Sequence, residues 1–133
     1  MLSAIPEQVS IARRAVTGLA IAAGLDEELR GSVALAVSEA CSNVVLHAYA
    51  GTEPGELHVH AEAAAGRLTV VVGDRGKGMC PRSDSPGIGL GLPLMASLCS
   101  TLEVRERPGG GTEICMVFAS AAVDAGAAWA RTG

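Results

Sequence analysis

Across the turn cluster Ala50-Gly51-Thr52-Glu53-Pro54-Gly55 the spacing of apolar residues changes from the helical period to that of a strand, and that change limits the folds open to this chain. Upstream, Val9, Ala12, Val16, Leu19 and Ala23 recur near the helical period, with Arg13 and Arg14 beside the stripe. Gly24 suits a helix stop and Asp26 an N-cap, which predicts a second helix running to about Ala48. Downstream, Leu57, Val59 and Ala61 alternate with His58, His60 and Glu62, the pattern of a strand with one wet face. After Gly66 comes Leu68–Val72, a largely β-branched run suited to a central strand. Leu90 to about Ser100 predicts a third helix, with Pro93 tolerable only in its first turn. Leu102–Arg107 and Glu113–Phe118 predict a hairpin across Pro108-Gly109-Gly110-Gly111.

The order α-α-β-β-α-β-β predicts an α+β fold: a two-layer sandwich with helices on one face of a mixed, mostly antiparallel sheet. It is not the βαβ alternation of dinucleotide-binding or P-loop folds. One domain over residues 1–118 accounts for these elements, followed by an Ala-rich tail at 119–133, expected as a short helix or a frayed end.

Composition removes several functions. Net charge is −4 without a basic block, which argues against a duplex-binding surface. One Phe, one Tyr and one Trp cannot build a stacking platform for single strands. No apolar run approaches the roughly 18–20 residues that span a bilayer. The opening residues lack the basic-then-apolar order of a signal peptide, so a cytoplasmic location is expected. Cys41, Cys80, Cys99 and Cys115 form no CxxC pair and read as free, mostly buried thiols.

Three segments carry chemistry. In the second predicted helix, Glu39, Asn43 and His47 fall at i, i+4 and i+8 and stack on one side. An Asn carbonyl oxygen is a suitable hard ligand for Mg²⁺, and a carboxylate one turn earlier can accept a proton beside that metal. The alternative is a polar helix edge facing solvent. Asp74 ends an apolar strand and opens Arg75-Gly76-Lys77-Gly78; a carboxylate there can accept from an amine such as that of adenine, or simply form a turn. Gly87, Gly89 and Gly91 directly precede a predicted helix, where backbone N–H groups can approach an anion.

Taken jointly, SEACSNVVLHAY, DRGKGM, GIGLGLPLM and GGGTE resemble the N, G1 and G2 boxes of the Bergerat-fold (GHKL) ATPases, in their usual order over roughly residues 5–118. Within that superfamily the chain is similar to the bacterial anti-sigma-factor serine kinases. The resemblance implies ATP and Mg²⁺ as cofactors, with Asn43 holding the metal and Glu39 as general base. It implies that Asp74 reads the adenine amine, with Gly76 and Gly78 shaping the pocket. Gly87, Gly89 and Gly91 would then lie near the phosphates, and Thr112 on the pocket floor. Arg13 falls where these kinases contact a sigma factor or its antagonist.

The implied function is phosphorylation of a STAS-type anti-anti-sigma protein and sequestration of a sigma factor, by a homodimer that touches neither nucleic acid nor membrane. The alternatives are a non-catalytic nucleotide- or partner-binding module and the catalytic half of a split histidine kinase. Only eight residues, Met79–Pro86, separate the two glycine boxes, where the family often has a longer lid. Lys77 and Arg82 read as solvated or as phosphate partners. His47 reads as a packing or hydrogen-bonding residue rather than a phosphoacceptor, and His58 and His60 as surface residues rather than metal ligands.

Overall fold

The computed structural model describes residues 2–3, 6–44, 56–74, 88–108 and 110–120. Two helices come first, α1 (Pro6–Ala22) and α2 (Glu27–Asn43), after a two-residue strand β1 (Leu2–Ser3). A hairpin of β2 (Glu56–Ala64) and β3 (Arg67–Asp74) follows, then α3 (Ile88–Leu98), β4 (Thr101–Glu106) and β5 (Thr112–Ala119). The strands form one sheet in the order β1-β2-β3-β5-β4. Every described pair in it is antiparallel, so the parallel component expected of a mixed sheet is not found among the described residues.

The period-2 pattern decides which face is covered. Leu68, Val70 and Val72 on β3 and Ile114, Met116 and Phe118 on β5 are fully buried. They join Val16, Ala20, Val33, Val37 and Ala40 from α1 and α2, and Met95 from α3, in one core. The helices therefore lie on a single face of the sheet, as the element order predicts. Burial pushes the Cys41 thiol in that core up to about 12, which leaves it a packing group rather than a nucleophile.

Local chemistry sets the element ends. The Leu29 N–H donates to Asp26 Oδ1 at 2.8 Å, and Glu27 and Glu28 occupy the first turn of α2. Asp26→Ala is expected to lower stability by about 1 kcal/mol, read from the midpoint of a urea unfolding curve. Gly66 turns β2 into β3 at φ 73°, a conformation costly for residues with a side chain. Its N–H donates to the Ala23 carbonyl at 2.8 Å and its carbonyl accepts from Ser120 N at 2.9 Å, tying the ends of both layers together.

Two details differ from the sequence reading. β1 was not predicted, because two residues carry no period. α3 starts at Ile88 rather than Leu90, so Pro93 is not in its first turn but inside the helix. Proline cannot donate to the carbonyl four residues back, a cost that burial of Met95 and contact of Leu92 and Leu98 with the core offset.

Candidate active site

The sheet's central strands end on polar residues that face the helices. Alternation along β3 puts Asp74 on the same side as Leu68, Val70 and Val72, and the carboxylate residue is fully buried. On β5 the same alternation turns Thr112 inward with Ile114, and it is 2% exposed. Gly73 pairs with Glu113 in an antiparallel register, so Asp74 and Thr112 occupy the next, neighbouring positions. A carboxylate and a hydroxyl are thus set side by side at one end of the sheet's covered face. Such a pair can hold a polar heterocycle through hydrogen bonds in a low-dielectric site.

Helix α2 packs across β3 and β5 on this face. Glu39 is half-buried, and Asn43, one turn later, is buried. The Asn43 Nδ2 atom is buried with no hydrogen-bond partner among the described residues. An orphaned buried amide is uncommon and points to a ligand. A primary amide turned over keeps its shape but exchanges nitrogen for oxygen. That position therefore fits a hard cation through the oxygen as readily as an acceptor through the nitrogen.

Gly76, Gly78 and Gly87 lie outside the described residues, as do His47, Lys77, Arg82 and the short segment between the glycine boxes. Gly89 and Gly91 were expected to precede a helix, but both stand inside the first turn of α3. For Gly89, at the second helical position, the chemistry survives, because the first N–H groups of a helix have no partner within it.

Arg13 is exposed on α1, far in character from the polar end of the sheet. With Arg14, Thr17, Gly18, Ile21 and Ala34 it lines a shallow groove on the outer side of α1 and α2. Ile21, 57% exposed, adds an apolar component to this surface. His58 and His60 sit on the sheet's uncovered face, each against a glutamate of its own strand: Glu56 at 2.9 Å and Glu62 at 3.3 Å. No group of residues able to hold a metal through His, Cys, Asp or Glu occurs among the described residues.

One contributor went unseen in the sequence. Arg107 reaches from the β4–β5 turn to within 3.4 Å of the Asp74 carbonyl, a contact between residues 33 apart. Nothing local marks it, since an arginine beside Pro-Gly-Gly-Gly reads as a solvated turn residue.

Comparison with known proteins places the chain in a family. The model of the histidine kinase-like ATPase domain matches residues 2–118. A serine-protein kinase RsbW of Bacillus licheniformis is 34% identical over 126 residues, covering 84% of this chain and 78% of its own. The RsbW of Bacillus subtilis is 32% identical over 119 residues, 78% of this chain and 74% of its own. That of Listeria monocytogenes serovar 1/2a reaches 41% over a shorter stretch of 75 residues, 56% of this chain and 48% of its own. A match over nearly all the described elements, from β1 through β5, cannot come from the glycine motifs alone. The chain belongs to the histidine kinase-like ATPase domain family and, within it, to the family of the serine-protein kinases RsbW.

Proposed function

We propose that this protein is an ATP- and Mg²⁺-dependent serine kinase that phosphorylates a STAS-type anti-anti-sigma protein and, as a cytoplasmic homodimer, sequesters a sigma factor. The observation that carries the reading is the buried polar end of the sheet, Asp74 beside Thr112, with the half-buried Glu39 and the orphaned Asn43 amide on the helix packed over the same face. The names of the relatives support the reaction class.

In this reading Asp74 accepts from the adenine amine and Thr112 completes the floor, so the base is recognised by paired hydrogen bonds in a dry pocket. Gly76 and Gly78 shape that pocket. Gly87, Gly89 and Gly91 are assigned to the phosphates, with the N–H of Gly89 in the first turn of α3 as a donor. Asn43 would hold Mg²⁺, whose charge would offset that of the phosphate oxygens. Glu39 accepts the proton from the serine hydroxyl as its oxygen attacks the terminal phosphorus. The bond to the bridging oxygen breaks, ADP leaves, and phosphoserine forms. Arg13 and the apolar side chains beside it on α1 and α2 form a surface suited to a protein partner. No described helix is long and apolar enough to cross a membrane.

The test is transfer of labelled phosphate from ATP to a purified STAS-domain protein from the same genome. Phosphoserine on that protein is the expected result. Phosphohistidine on a separate protein instead supports a split histidine kinase. ATP binding without transfer supports a nucleotide-binding module.

A further inference from the structure

We propose that Arg107 is a positioning residue for the nucleotide pocket, clamping the end of β3 from the sheet's uncovered face so that Asp74 is aimed at the base. This rests on the reading of Asp74 given above. Four observations carry it. The β4–β5 turn is closed by Arg107 N donating to the Gly111 carbonyl at 2.9 Å, with Gly110 N returning to the Arg107 carbonyl at 3.0 Å. That closure needs positive φ at Gly110 and Gly111, 112° and 94°, and fixes where the arginine leaves the hairpin.

The guanidinium then lies over Gly73, and a Cβ built on Gly73 would meet Arg107 Nη1 at 3.3 Å. Gly73 is thus the gap through which the arginine passes. Finally, Nη1 donates to the main-chain carbonyl of Asp74, the residue whose side chain turns to the opposite, covered face. One cation on one face holds the backbone that presents a carboxylate on the other. The half-buried setting of Arg107 limits the screening that would weaken such a bond at the surface.

The glycine supplies an independent handle. In Gly73→Ala, the added methyl is crowded only by the flexible end of Arg107; its other neighbours, Glu113 Cβ at 3.4 Å and the Thr112 carbonyl at 3.5 Å, are at ordinary contact distance. The substitution should displace the guanidinium and leave the strands in place.

The experiment measures Mg·ATP and Mg·ITP binding by calorimetry, with steady-state kinetics, for Arg107→Gln, Arg107→Lys, Gly73→Ala and the double variant. ITP lacks the exocyclic amine. Arg107→Gln is expected to weaken ATP binding about tenfold, the scale of one charge-assisted hydrogen bond. KM should rise in step with kcat unchanged, and the preference for ATP over ITP should shrink. Arg107→Lys should recover much of the loss. Gly73→Ala should reproduce it, and the double variant should be no worse than either single one. Asp74→Asn serves as the control on the pocket. If it loses ATP while Arg107→Gln and Gly73→Ala bind normally, the clamp is wrong and the pocket stands. If Asp74→Asn itself binds ATP normally, the pocket reading fails. Loss of thermal stability in Arg107→Gln with an unchanged ATP-to-ITP ratio would show a merely structural arginine and overturn the proposal.

Discussion

Replacing Glu39 by glutamine is expected to slow phosphoryl transfer by about 10²–10⁴-fold, the range of a positioned general base, while ATP still binds. Glutamine keeps the length of glutamate and the half-buried place on α2, so packing against β3 and β5 survives. What is lost, on the proposed reading, is the oxygen that receives the serine proton. The signature is therefore kinetic: kcat falls, KM for ATP holds, and calorimetric binding of Mg·ATP is unchanged. Rapid-quench single-turnover transfer to the STAS substrate separates this from slow product release. A variant that transfers phosphate at the full rate would leave catalysis to positioning and charge neutralisation alone, which phosphoryl transfer can exploit. Asn43→Ala should differ in kind, since its loss is expected to appear first in metal-dependent nucleotide binding.

How much of this was legible without coordinates depended on whether the signal was local. Asp26 capping α2, the one-sided alternation of Leu57, Val59 and Ala61, and the turn at Gly66 all follow from neighbours in sequence. Each appears where its pattern predicts. Asp74 was marked by a strand end beside glycines, and Thr112 only by the resemblance of GGGTE to a family motif. Their adjacency was not, because it depends on β3 pairing with β5 across the intervening helix and β4.

The errors share a cause. Pro93 and the two α3 glycines were read by propensity, whereas burial of Met95 and the flanking leucines holds the helix two residues longer at its start. Arg107 was invisible because its partner is a main-chain carbonyl 33 residues away, reached only through the missing side chain of Gly73. Short-range patterns specify the layers. Long-range register decides which polar groups meet.

The stripe on α2 also changes meaning when set on the sheet. Glu39 and Asn43 are not a solvated edge, because one is half-buried and the other buried with an orphaned amide atom. His47, which shares their spacing, lies outside the described residues. The uncovered face shows the contrast: His58 and His60 pair with glutamates of their own strand, as surface histidines do. A buried group awaiting a ligand and an exposed group satisfied by its neighbour are told apart by burial and partners rather than by residue type.

Asp74→Asn is expected to weaken ATP binding by about 30–1,000-fold, corresponding to ~2–4 kcal/mol for a lost hydrogen bond to a charged group together with an unfavourable contact in its place. Asparagine fills the volume of aspartate, so the fully buried position stays packed and the core residues on either side, Val72 and Leu57, keep their contacts. The amide differs in what it presents. If its NH₂ turns toward the base, two donors face each other. If its oxygen does, the acceptor is neutral and the NH₂ must find a partner beside Thr112 in a dry pocket. Either way the binding penalty exceeds that of a solvent-exposed hydrogen bond. The two nucleotides then sort the outcome. ATP affinity should collapse while ITP, which offers no exocyclic amine to Asp74, should lose far less. An equal loss for both nucleotides would mean that Asp74 supports the fold of the pocket without reading the base. A preserved ATP affinity would remove it from the site.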